Sequence, residues 1–429
     1  MLTKHAGVKW RDRLINASLT LVSCVSVIAA VEFALDRDWI PGQRPVQTTQ
    51  LGDASSAQDL KQRAIRLRMQ PPLEHRVYSP NEDYLKNRSD SLAAGEYVMD
   101  TDGFGFIRPG LEHLNADLTL AFLGGSTTEN FFMKPAQRFH YGTAQLLEQR
   151  TGHTVNAINA ARSGNVTLHS VNIFLNAVLE HHPDVAILMH NINDYAVLYH
   201  EKSYWNDHPE RSLVYELPHS GTFLPSSLSV SQAARQLLDT AMVSLIPNLT
   251  ARLNLVSANL MGGSAQSTVF GEDAQRRRWG VAKALDMVQI EHDFRSALTT
   301  FVSAARSWQI EPVLMTQPHR WPERLDEHTP ASIRDFMARK AITGIDYGEF
   351  RAGYVRLNDV IRETARDLNV PLIDLQAEIA PNTENLFDAI HLTGTGSQIA
   401  STVIAETLMK YFDFSQFPQS PLKPKDHLK

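Results

Sequence analysis

Four short segments of the chain carry residue types suited to acyl transfer. Leu123-Gly124-Gly125-Ser126-Thr127-Thr128 sets a serine directly behind an apolar run and two glycines. Glycine permits a tight turn and close approach by a substrate, and the hydroxyl then projects from the end of the run. Gly-Gly-Ser is also common in plain turns, whereas a phosphate-cradling loop would need a spaced Gly-Lys-Ser/Thr that is absent here. In Asn159-Ala160-Ala161-Arg162-Ser163-Gly164-Asn165 the N–H of Gly164 could face a developing oxyanion without a side chain in the way. A simple loop glycine is the alternative. In Asn191-Ile192-Asn193-Asp194 the Asn193 amide could donate to the same oxyanion while Asp194 accepts backbone N–H groups; an Asx turn is the alternative. Asp388-Ala389-Ile390-His391 puts a carboxylate three residues before an imidazole. That spacing can fix the ring's tautomer for taking a proton from a serine, or it can make an ordinary Asp–His pair.

Taken in chain order, these segments resemble the four blocks of the SGNH (GDSL-type) hydrolase family, which supply Ser, Gly, Asn and His on a flavodoxin-like sheet. The resemblance spans Leu118 to Phe412 with one large gap. It implies that Ser126 attacks an ester carbonyl, His391 serves as general base and Asp388 orients it. It further implies an oxyanion hole from the Ser126 N–H, the Gly164 N–H and the Asn193 side chain. Tyr97-Val98-Met99-Asp100-Thr101-Asp102-Gly103-Phe104 is similar to the strand-turn that precedes the first block in membrane-anchored bacterial members. Two departures stand out: Gly125 where many members have Asp, and Asn191 where many have Gly. Neither removes a group assigned to the mechanism.

Such residues need a rigid frame. Leu118–Leu123, Val155–Ile158, Val185–Met189, Pro312–Thr316 and Pro371–Asp374 read as short buried strands. Between them, Phe139–Arg150, Val171–Leu179, Tyr354–Leu368 and Gly396–Phe412 have helical apolar spacing. Strand alternating with helix predicts an α/β fold, a three-layer α/β/α parallel sheet with its functional loops at the strands' carboxyl ends. Residues from about 199 to 280 break the alternation and read as a large helical insertion. A short helix is expected around Leu60 to Arg68.

The N-terminus carries a different signal. No residue from Leu14 to Val31 is charged; Lys4, Lys9, Arg11 and Arg13 precede the stretch, and Glu32, Asp36 and Asp38 follow it. About 20 apolar residues suffice to cross a bilayer, and the basic flank stays in the cytoplasm. The expected organisation is therefore a cytoplasmic 1–13, a transmembrane helix or signal anchor over 14–35, a linker over 36–77, a hydrolase domain over 78–415 and a tail over 416–429. Ser18, Thr20, Ser23 and Ser26 make a cleaved signal peptide the rival reading. Either way the domain faces the periplasm or the exterior, with the inner membrane as the expected location.

Composition narrows the partners. Of 429 residues, 43% are hydrophobic and 21% charged, as in a folded soluble body, and the net charge of −6 lacks the basic stripe of a nucleic-acid binder. The single cysteine, Cys24, rules out an internal disulfide and multi-Cys zinc sites. No cofactor is expected, and the spacing of His190, His200 and His319 does not call for a metal. Gln317 and His319, just after the fourth strand, are candidate substrate contacts. The expected activity is a serine ester hydrolase, an O-acyl or O-acetyl esterase acting on envelope polysaccharide or glycoconjugate, with lipid esters as the other substrate class. An O-acyltransferase using the same triad and a non-catalytic envelope protein of the same fold are the alternatives.

Overall fold

Five apolar runs pair as parallel strands in the computed structural model, which describes residues 63–206, 208, 211–216, 284–339, 342 and 344–416. They are β1 (Leu118–Gly124), β2 (Val155–Asn159), β3 (Val185–Met189), β4 (Glu311–Met315) and β5 (Leu372–Ile373). Their order across the sheet is β2-β1-β3-β4-β5, and every neighbouring pair is parallel. This is the flavodoxin-type winding, and its direction reverses between β1 and β3, where open α/β sheets hold their ligands.

The runs are apolar throughout because both faces of the sheet are covered. Leu118, Leu120, Phe122, Val185, Ile187 and Met189 point to one side. There they meet helices α2 (Phe139–Thr151) and α7 (Gly394–Tyr411) through Phe139, Leu147, Ile404 and Leu408. Ala121, Leu123, Ala186, Leu188 and Leu314 point to the other side. That layer contains α3 (Thr167–Ile173), α4 (Ile192–Glu201), α5 (Met287–Ser307) and α6 (Tyr347–Asp367), which contribute Ile173, Tyr195, Phe294 and Tyr354 among others. A short helix, α1 (Ser126–Glu129), makes a single turn at the end of β1. The sheet and its two helical layers form the expected α/β/α fold.

The segment before β1 differs from expectation. Arg63–Ile65 is a strand paired antiparallel with Val214–Glu216, not part of a helix. Its exposure alternates residue by residue, as the two-residue period of a strand requires. The stretch to residue 77 is also no free linker from residue 63 onward. His75–Tyr78 pairs with Tyr97–Asp100, and Arg66 N donates to Leu213 O at 2.8 Å. Tyr199 lies within α4, so the helix after the third block runs into the region read as an insertion. Most of that insertion lies outside the described residues, as do the 14–35 segment and the tail from 417. Among the described residues, no helix is long and apolar enough to cross a membrane. Contacts divide the chain into two units, and the one comprising Met1–Gln62 and Leu217–Thr268 lies outside the described residues.

Candidate active site

The apolar β1 ends at two glycines because neighbouring groups occupy the space a side chain would need. A Cβ on Gly124 would lie 2.1 Å from Thr128 Oγ1, and one on Gly125 would lie 2.6 Å from Asn193 Nδ2. The chain then turns directly into α1, whose first residue is Ser126. At the other end of the sequence, Phe387 N donates to His391 O and Thr393 N to Asn385 O, both at 2.9 Å. These bonds close a tight hairpin with Asp388-Ala389-Ile390 at its tip. Gly396 lets α7 start against this hairpin, since a Cβ there would lie 2.1 Å from Asn385 O.

The hairpin and α1 meet through side chains. His391 Nε2 is 2.8 Å from Ser126 Oγ, and His391 Nδ1 is 2.7 Å from Asp388 Oδ2. The other carboxylate oxygen, Asp388 Oδ1, accepts from the backbone N–H groups of Ile390 at 2.9 Å and His391 at 2.8 Å. Burial pushes the Asp388 carboxyl up. The adjacent imidazole and these N–H groups more than offset it, holding Asp388 below its ordinary value. An ionised Asp388 can only accept, so Nδ1 carries the ring proton and Nε2 is left to accept from the serine hydroxyl. Phe387 stacks on the imidazole with centroids 5.6 Å apart, and Phe131 meets it edge-on at 5.8 Å.

Three candidate oxyanion donors lie after the carboxyl ends of β1, β2 and β3. Asn193 Nδ2 donates to Asn165 O at 3.0 Å, which ties the loop after β3 to the loop after β2. Its second hydrogen remains available beside Gly125. Gly164, at φ +79°, occupies the left-handed region that glycine takes at no steric cost. Neither its N–H nor that of Ser126 has a hydrogen-bond partner among the described residues. The two departures from the family pattern now have reasons. Gly125 makes room for the Asn193 amide, and Asn191 Nδ2 donates to Tyr354 O and Asn358 Oδ1, both at 3.0 Å, anchoring the loop to α6.

Several bracing residues had no signal in the sequence. Glu129 is buried and accepts from Gln70 Nε2 at 2.8 Å and from both the N–H and the hydroxyl of Ser163, the residue before Gly164. Burial raises its carboxyl above the ordinary value against those bonds. Arg68 donates to the carbonyls of Ser163 at 3.1 Å and Gly164 at 3.2 Å. Arg320 Nε donates to the Asp388 carbonyl at 2.6 Å. The Gln317 amide, read as a substrate contact, is engaged within the protein. Its Oε1 accepts from Ile192 N at 3.1 Å and its Nε2 donates to Thr127 Oγ1 at 2.7 Å, linking α4 to the nucleophile turn. His319 is likewise enclosed, its Nδ1 accepting from Trp321 N at 3.1 Å. Burial pushes His319 down to about 4. Asp194 accepts from Thr167 N at 2.9 Å, the backbone N–H bracing read from the sequence, and from Tyr204 Oη at 2.6 Å. The described residues contain no cluster of three or more His, Cys, Asp or Glu side chains able to hold a metal.

A serine beside a carboxylate-paired imidazole, with amide donors grouped around it, defines a serine hydrolase centre. Residues 122–399 match the model of the GDSL-like lipase/acylhydrolase family. The chain belongs to that family. No curated protein matches it in sequence. Among solved structures it is similar to the acetylxylan esterase Axe2 from Geobacillus stearothermophilus, with 13% identity over 70% of this chain and 97% of that one and a TM-score of 0.37. A protein described as a GDSL-like lipase from Parabacteroides merdae ATCC 43184 is 14% identical over 70% of this chain and 98% of its own, with a TM-score of 0.36.

Proposed function

We propose that the protein is a carboxylic ester hydrolase that works through an acyl intermediate on Ser126. The observation that carries this reading is the unbroken relay from Ser126 Oγ through the His391 ring to Asp388, at 2.8 and 2.7 Å. In the first half-reaction, His391 Nε2 takes the Ser126 proton as Oγ attacks the carbonyl carbon. The N–H groups of Ser126 and Gly164 and the Asn193 amide hold the resulting oxyanion. Asp388 stabilises the imidazolium, which then protonates the departing alkoxide. In the second half-reaction, water attacks the acyl-serine by the same route, returning the carboxylic acid and free serine.

The substrate reading is an O-acyl, foremost O-acetyl, ester on envelope polysaccharide or glycoconjugate. Two features support it. The uncharged 14–31 stretch behind a basic N-terminus suits an inner-membrane anchor with the domain outside the cytoplasm. The pocket at Ser126 and His391 is walled by Phe131, Phe132, Met133 and Phe387, apolar and aromatic surfaces that suit the C–H faces of a sugar or polyol ester. The test is turnover of p-nitrophenyl acetate by the full-length protein beside Ser126→Ala and His391→Ala. Loss in both variants by about 10³-fold or more is expected. An inactive parent that also resists fluorophosphonate labelling would overturn the reading.

A further inference from the structure

Asn130 ends the nucleophile turn. Its backbone is left-handed, at φ 53° and ψ 48°, and its N–H closes α1 by donating to Ser126 O at 3.1 Å. Asparagine is among the few residues that adopt this conformation readily, but glycine adopts it more easily. Backbone shape therefore accounts for a residue of this kind without accounting for the amide. The amide itself is anomalous. Asn130 is only 6% exposed, yet Nδ2 has no hydrogen-bond partner. A buried donor left unmet is costly, and such groups concentrate where a ligand will meet them.

The surroundings say which part of a ligand that would be. Asn130 lines the same pocket as Ser126, His391, Phe131, Phe132 and Phe387, whereas Gly164 and Asn193 are not among its walls. In ester cleavage the carbonyl oxygen must turn toward the oxyanion donors, and the leaving oxygen must sit by His391 Nε2 to receive its proton. Space that borders Ser126 and the imidazole on the side away from Gly164 and Asn193 therefore belongs to the alcohol. Its walls offer aromatic faces and edges, suited to the C–H surfaces of a polyol or sugar, and Asn130, whose amide donor is unmet, is among its lining residues.

We infer that Asn130 is a specificity-determining residue that donates a hydrogen bond from Nδ2 to a hydroxyl or ether oxygen of the substrate's alcohol part, selecting polyol and sugar esters over esters of plain hydrocarbon alcohols. The inference rests on the ester-hydrolase reading of Ser126. A site that hydrogen-bonds a substrate hydroxyl discriminates against the analogue lacking it, because the donor is then left unpaired.

A matched pair of esters isolates this contact. 2-Hydroxyethyl acetate and propyl acetate share the acetyl group and the chain length and differ by a terminal hydroxyl in place of a methyl. With the full-length wild type, kcat/KM is expected to favour the hydroxyl ester roughly three- to tenfold, the range of one hydrogen bond. In Asn130→Gly, which keeps the backbone conformation, the ratio should fall to about one. Asn130→Ala strains the left-handed backbone but should show the same ratio, so lost selectivity is separated from lost stability. A wild type that turns over both esters without preference, or a preference that survives in both variants, would overturn the assignment of Asn130 and leave the hydrolase reading intact. A wild type no more active than Ser126→Ala on either ester would overturn the hydrolase reading, and this assignment with it.

Discussion

Replacing Gly125 by alanine tests whether the Asn193 amide does catalytic work. Gly125 sits at φ −97° and ψ −151°, an extended conformation open to any residue, so the backbone itself resists the change little. The new Cβ, however, would lie 2.6 Å from Asn193 Nδ2, where ordinary contact begins at 3.4 Å. One group must therefore move by about 0.8 Å. The glycine's neighbours are held by β1 and α1, so the amide is the group that gives, and it leaves its 3.0 Å bond to Asn165 O as it moves. Losing one oxyanion donor costs about 3–4 kcal/mol of transition-state stabilisation, or 10²–10³ in kcat. A displacement of about 1 Å reaches the lower end of that range. The expected result with p-nitrophenyl acetate is a kcat lower by about 10²-fold and a KM within about twofold, because the contact tightens only as the oxyanion forms. Asn193→Ala and the double variant complete a thermodynamic cycle. If Gly125 acts by making room for Asn193, the double variant should lose no more than Asn193→Ala alone. Gly125→Ala activity within about threefold of wild type, or losses that multiply in the double variant, would refute the reasoning.

Two further outcomes are expected. Asp388→Asn should leave KM nearly unchanged and lower kcat by about 10⁴, because an amide at that position no longer holds the proton on Nδ1 and cannot stabilise the imidazolium; steady-state kinetics decide it, and a loss under tenfold would count against an ionised Asp388. Burial raises the Asp194 carboxyl to about 6, so between about pH 4 and 6 the native protein binds its proton more tightly than the unfolded chain does. Stability relative to Asp194→Asn should therefore fall as pH rises through that window, by at most about 3 kcal/mol, and level off above it; urea unfolding at several pH values measures this, and a flat difference would contradict it.

The frame was legible wherever burial on two faces writes a continuous apolar run, as in Val185–Met189, whose five residues are all buried. Helices with one apolar stripe were equally readable, including α6, where Tyr354, Leu357 and Ile361 face the core. The candidate triad could be proposed because Asp388 and His391 are three residues apart, while their meeting with Ser126 across 265 positions came only through the family resemblance. The bracing residues left no mark, because their roles arise from tertiary proximity alone. Arg68 reaches Gly164 across 96 positions of sequence, and Glu129 reads as one more surface acid until the fold closes over it. Gln317 and His319 were picked out by position after a strand end. That criterion locates the loop rightly, but it does not say that the side chains turn into the protein.

Residue type and spacing alone do not make a centre, and the molecule contains its own demonstration. Ser170, His190 and Asp194 repeat the serine, histidine and aspartate of the site, with His190 Nε2 only 2.7 Å from Ser170 Oγ. Yet His190 Nδ1 stands 3.6 Å from Asp194 Oδ2, beyond hydrogen-bond range, where Asp388 holds His391 at 2.7 Å. All three residues are buried, and burial pushes His190 down to about 3, so near neutral pH its ring does not hold the proton a general base must take. The same burial raises Asp194 to about 6, so it is still ionised near neutral pH, but it stands too far from the His190 ring to hold it by a hydrogen bond. At Ser126 the carboxylate is held ionised by the imidazole and two backbone N–H groups, the serine opens on a pocket, and amide donors stand ready for the oxyanion. What separates the two constellations is electrostatic state and access, and both follow from where the strand ends leave each serine: Ser126 at the switch point between β1 and β3, Ser170 inside a packed helical layer.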